Sequence, residues 1–126
     1  MVVFEMKFAF GLFAAIIVLG LTVLNVDKTI GSNKELNLND VKKFNEIKLL
    51  AEEGDTVSQN ALGWMYDQGI GVKEDPKKAV KWYLKAAKKG FRKAQVNIGV
   101  MNELGRGTPQ NFEEANKWYS KAEKSS

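Results

Sequence analysis

Two patterns of apolar residues organise this chain. The first is unbroken. From Phe8 to Leu24 the sequence FAFGLFAAIIVLGLTVL runs seventeen residues without a charge. A helix that is apolar around its whole circumference is not an ordinary surface helix of a soluble domain. At about 1.5 Å per residue it reaches about 25 Å, short of the about 30 Å of a bilayer core yet within the accepted range. Lys7 supplies a positive flank on the cytoplasmic side. Residues 1–26 are therefore expected to be a signal peptide or a membrane anchor, with the membrane contacted through residues 8–24. The best cleavage sequence, Thr29-Ile30-Gly31, is poor, which favours the uncleaved anchor with the rest of the chain outside the cytoplasm. If it is cleaved, the product is secreted or periplasmic. Residues 27–39 are polar and aperiodic and read as a tether.

The second pattern is helical. Val41, Phe44, Ile47, Leu50 and Ala51 fall on one face of a helix over residues 40–54, capped by Asn39 or Asp40. Two longer units follow, residues 55–90 and 91–126. Residues 54–89 laid on 90–125 give thirteen identities at an offset of 36, where chance matching at ordinary composition gives about two or three. Each unit reads as two helices joined by a glycine turn. Gly69 and Gly71, and later Gly105 and Gly107, suit the left-handed backbone that ends a helix. Asp75-Pro76 and Asn111 with Glu114 are helix starts.

Within the second helix of each unit, Ala79, Trp82, Tyr83 and Ala86 recur as Ala115, Trp118, Tyr119 and Ala122. Their spacing of i, i+3, i+4 and i+7 marks a packing face. Gly63 and Gly99 sit in mid-helix, where glycine costs about 1 kcal/mol relative to alanine. That cost predicts a close crossing, with an aromatic ring laid over bare backbone. The helix over 40–54 then serves as a degenerate half-unit covering one end of the stack. The expected fold is an all-α short solenoid of antiparallel helix pairs. Two units and a half lie near the lower limit of about three repeats. Marginal stability, helped by self-association or by a partner, is expected.

Composition narrows the chemistry. The chain has no cysteine and no histidine. Disulfides, thiolate nucleophiles, Ser-His-Asp and Cys-His catalysis and lipid attachment at cysteine are excluded. A zinc or iron site would need an all-oxygen shell. The paired acids Glu52-Glu53 and Glu113-Glu114 lie at helix ends, where solvation and the helix dipole account for them. No catalytic residue, metal site or cofactor is expected, and hydrolase chemistry is the weakest reading. The net charge of +4 with pI near 9.2 is a mild basic bias, without a nucleic-acid-binding motif.

At these residues the chain resembles the Sel-one-like repeat family, a branch of the tetratricopeptide-like solenoids. The resemblance rests on Gln59, Leu62-Gly63, Tyr66, Gly69, Gly71-Val72, Asp75, Lys78-Ala79, Trp82-Tyr83, Lys85-Ala86-Ala87 and Gly90, and covers residues 40–126. It returns in Ala94-Gln95, Ile98-Gly99, Gly105, Gly107, Glu114-Ala115, Trp118-Tyr119 and Lys121-Ala122. The second unit departs at Asn102, Thr108 and Asn111, where the pattern has tyrosine, valine and aspartate. The resemblance implies a groove lined by the leading helices and a non-enzymatic adaptor that holds another protein, often in the envelope. A cysteine-rich bacterial branch is linked to β-lactam chemistry, but this chain lacks the cysteines.

Two surfaces rise above scaffold. Lys77, Lys78, Lys81, Lys85, Lys88, Lys89, Arg92 and Lys93 occur with no acid between them. The six lysines fall within one sector of about 120° on the second helix. Such a face either attracts an anionic lipid, glycan or protein surface or simply keeps the domain soluble. The leading helices supply the other surface: Gln59, Asn60, Trp64, Asp67 and Gln68, then Asn97, Asn102 and Glu103. Trp64 either anchors an interface or packs against the half-unit.

Overall fold

The computed structural model describes residues 36–125. The expected signal or anchor segment, residues 1–26 with its apolar run 8–24, lies outside the described residues. Among the described residues there are five α-helices and no strand: α1 (Leu38–Glu52), α2 (Thr56–Gln68), α3 (Pro76–Lys88), α4 (Arg92–Leu104) and α5 (Phe112–Lys124). None of them is long and apolar enough to cross a membrane.

Local chemistry fixes most helix starts. Asp55 accepts a hydrogen bond from the Ser58 amide at 2.8 Å, Asp75 from Lys78 at 3.1 Å and Asn111 from Glu114 at 2.9 Å. Pro76 follows its cap at the first helical position. For α1 the cap is Asn37, which accepts from Asn39 at 2.9 Å, so the helix begins earlier than residue 40 and neither Asn39 nor Asp40 caps it. Helix α4 starts at Phe91 without a side-chain cap. Helices α2 and α4 both end on a glycine at φ 64°, Gly69 and Gly105.

The helices pack in chain order, each against the next. Helices α2 and α3 form the first hairpin and α4 and α5 the second, while α1 behaves as the trailing helix of a unit whose leading partner is absent among the described residues. The geometry repeats at the sequence offset. Gln59 donates to the Ala51 carbonyl at 3.1 Å, and Gln95 to the Ala87 carbonyl at 3.2 Å. A methyl on Gly71 would collide with the Asp40 carbonyl, and one on Gly107 with that of Pro76. Each glycine turn thus lies on the start of the preceding trailing helix.

The core follows from the packing faces. Leu62 and Ile98 are fully buried at equivalent positions, in one core with Ala79, Ala86, Ala87 and Ala94. Burying each large side chain contributes about 1.5–3 kcal/mol. Tyr83 lies over Gly63, and Tyr119 over Gly99. In both cases the ring Cδ1 would stand only 2.7 Å from an added Cβ. Alanines beneath and bare backbone opposite let α2 and α3, and α4 and α5, approach closely. At the α1 end, Phe44 meets the Tyr66 ring edge-on with centroids 5.3 Å apart. Leu50, placed by its period on the packing face of α1, is half-exposed, because α1 has no leading helix among the described residues to cover it.

Candidate functional site

The leading helices α2 and α4 lie side by side, joined across their surface by Asn97 Nδ2 donating to Asn60 Oδ1 at 3.0 Å. Beside this bond, Asn60, Arg92, Lys93, Val96 and Asn97 line a shallow depression of about 440 Å³. A neighbouring depression of about 410 Å³ shares Arg92 and Val96 and is closed by Tyr119, Ala122 and Glu123 of α5. Val96, Val100 and Leu104 form an exposed apolar line at i, i+4 and i+8 along α4. Trp64, at the position equivalent to Val100, is 50 % exposed on α2, with Val57 two turns before it also exposed.

Not all of the residues expected on this surface are there. Gln59 and Asn102 are buried. The Gln59 amide serves the Ala51 carbonyl, and Asn102 donates to the Ile98 carbonyl at 2.9 Å. Their polarity satisfies backbone inside the stack, so neither is available to a ligand, and the expectation for both is corrected. Asp67 is engaged too. Its carboxylate accepts from Arg106 Nε at 2.6 Å and from Gln68 at 2.9 Å. Glu103 accepts from the Tyr119 hydroxyl at 2.6 Å. Partial burial, with Glu103's hydrogen bond and charge adding to it, pushes the Tyr119 hydroxyl up to about 12.

Arg106 is the residue that sequence reasoning missed. From the turn after α4 it reaches back to the first unit. It binds the Asp67 carboxylate, the Asp67 carbonyl at 2.7 Å and Glu74 at 2.7 Å. The hydrogen bond to Asp67 holds its guanidinium above its ordinary range. Its equivalent in the first unit is Ile70, so the repeat offered no signal for it. Only the unmatched charge itself pointed to it.

The basic run is divided by the structure. Lys77, Lys78, Lys81, Lys85, Lys88 and Lys89 are exposed on α3 and its end, whereas Arg92 and Lys93 turn onto the leading-helix depression. The bend at Gly90 separates the two groups. Three of the lysines are partly occupied. Lys85 lies 4.2 Å from the Trp82 ring centre, Lys78 pairs with Asp75 at 3.5 Å, and Lys89 donates to the Gly54 carbonyl at 2.6 Å. Lys77, Lys81 and Lys88 form no ion pair among the described residues. Trp118 is buried and Trp82 partly so, and both rings carry a lysine on the outer side. No group of three or more acids among the described residues is placed to hold a metal ion.

Comparison with known proteins places these features in a family. The model of the Sel1 repeat matches residues 56–91 and again residues 92–125. Chitin synthase regulatory factor 3 of Schizosaccharomyces pombe is 55 % identical over 38 residues, 30 % of this chain and 4 % of that protein. A putative sel1-like repeat-containing protein of Acanthamoeba polyphaga mimivirus is 43 % identical over 51 residues, 40 % of this chain and 10 % of its own length. The chain thus spans a small fraction of these curated relatives. Among solved structures, a Sel1 repeat protein from Oxalobacter formigenes superposes with TM-score 0.65 at 29 % identity, over 66 % of this chain and 24 % of the other. Helicobacter pylori cysteine rich protein B superposes with TM-score 0.64 at 27 % identity, over 75 % of this chain and 70 % of its own. This chain shares that fold without a single cysteine.

Proposed function

The chain belongs to the Sel1 repeat family, and we propose that it is a non-enzymatic adaptor that docks another protein on the surface of α2 and α4. One observation carries this reading: exposed Trp64, Val96 and Val100 lie beside the Asn60–Asn97 pair on the two helices that share that surface. A large aromatic among aliphatic side chains and amides is the composition of an interface centre. The test is capture from the native membrane fraction with the full chain as bait, repeated with Trp64→Ala and Val96→Asp. A partner retained equally by both variants would refute the assignment of this surface. Membrane-anchored exposure outside the cytoplasm through residues 8–24 is proposed from the sequence alone. Fractionation and protease accessibility of the intact cell test it.

A second reading has its own support. Lys77, Lys81 and Lys88 stand on the outer helix without ion-pair partners among the described residues. We propose as the alternative that this face associates with an anionic envelope surface. Screening within about 8–10 Å separates the two readings, because association through exposed lysines collapses as salt rises whereas docking at Trp64 persists.

A further inference from the structure

We propose that the depression between α2 and α4 receives an acidic, extended peptide segment of the docked protein, with its carboxylate held by Arg92 and Lys93. This rests on the reading that the leading-helix surface binds a protein, and it names the chemistry that surface selects. The first ground is charge. Arg92 and Lys93 are adjacent, exposed and line the depression, and neither forms an ion pair among the described residues. The nearest cations along the chain are more lysines, and residues 76–93 contain no acid. The positive potential over the depression is thus uncompensated from that side, and a guanidinium next to an ammonium favours a carboxylate.

The second ground is the amide pair. The single bond from Asn97 to Asn60 leaves the Asn60 Nδ2 and the Asn97 Oδ1 with capacity to spare. One can donate to, and the other accept from, the backbone of an extended chain crossing the depression. The third ground is the apolar line. Val96 borders the depression, and Val100 and Leu104 continue from it away from the cations, with Trp64 exposed on the neighbouring helix. A carboxylate at Arg92 and Lys93 with apolar side chains further along the same segment satisfies all three features. A bare polyanion leaves the apolar line wet. Glu123 closes the adjoining depression beyond Arg92 and repels a second acid there, so the acidic group enters on the Lys93 side.

The test uses the full chain in neutral detergent and a displayed library of random ten-residue peptides. The expected result is enrichment of peptides that carry Asp or Glu beside Leu, Ile, Val or Phe. The enriched sequences are then synthesised. Binding is expected to fall about tenfold when the acid is replaced by its amide, and equally for Arg92→Ala with Lys93→Ala. It should be nearly unchanged for Lys81→Ala with Lys88→Ala, which removes the same charge from the outer face. Enriched peptides that lack acids and respond to Trp64→Ala alone overturn this inference and leave the docking surface standing. Acidic peptides that depend on Lys81 and Lys88 overturn it in favour of the outer face. No enrichment at all overturns the inference, while the docking surface is decided separately by capture with Trp64→Ala and Val96→Asp.

Discussion

The two repeats differ most where they meet water and agree through most of their packing, with Tyr66 against Asn102 and Ile70 against Arg106 as the exceptions. Between α2–α3 and α4–α5, the buried glutamine bonds, the glycine turns and the tyrosine laid over glycine recur at the same offset. The outer helices do not match in charge. Helix α3 carries only cations, whereas α5 sets Lys117 against Glu113 at 3.1 Å and Glu114 at 3.7 Å. The caps differ too: Asp55 and Asp75 in the first unit, Phe91 and Asn111 in the second. Packing in a solenoid tolerates little variation, because every unit must fit the same neighbour. Its surfaces are free to specialise.

The strongest way to break this equivalence is in the core. Leu62→Ala and Ile98→Ala are each expected to cost about 3–4 kcal/mol, since both side chains are fully buried. Urea unfolding checks whether the two losses agree; a much smaller loss for Ile98→Ala would mean that the second unit packs loosely. The turns come next. Gly71→Ala and Gly107→Ala force a side chain into left-handed backbone and against a carbonyl of the preceding helix. Each should cost about 2–3 kcal/mol. A harmless Gly71→Ala would show that α1 is no true trailing helix.

Arg106→Ala should cost about 1 kcal/mol, because the guanidinium is partly exposed and its ion pairs are screened. The loss should appear as faster amide exchange in both turns rather than in one. The smallest effect is a pH response of the helix caps, which are carboxylates only in the first unit. Hydrogen bonds from Ser58 hold the Asp55 carboxyl below its usual range, and the Lys78 amide does the same for Asp75. A carboxyl depressed in the folded state contributes stability above its unfolded value of about 3.9, and loses it as pH falls through the folded value. Acid should therefore weaken the cap bonds that start α2 and α3, while the Asn111 cap bond at the start of α5 does not titrate. Asp55→Asn with Asp75→Asn should remove the difference. Hydrogen exchange at matched intrinsic rates reads it out.

Much of the fold was legible because period and repeat are local signals. The glycine-ended leading helices and the aromatic packing face can be read directly from the offset of 36. The surface was less legible, for particular reasons. Gln59 and Asn102 look like binding amides, yet they serve carbonyls that only the stacked neighbour or the helix itself brings near. Arg92 and Lys93 continue a lysine run in sequence, but the bend at Gly90 turns them onto another face. Three polar residues, Asn37, Asn39 and Asp40, compete to start α1, and composition does not choose among them.

The reach of Arg106 has a mechanical consequence. Its three bonds clamp the end of α2, the turn after it and the turn after α4 into one joint. The two hairpins already pack against each other through α3 and α4, and Arg106 adds a polar tie across their turns. With that bolt in place the two hairpins share their load. A pull that separates the two turns loads these bonds together with the α3–α4 packing.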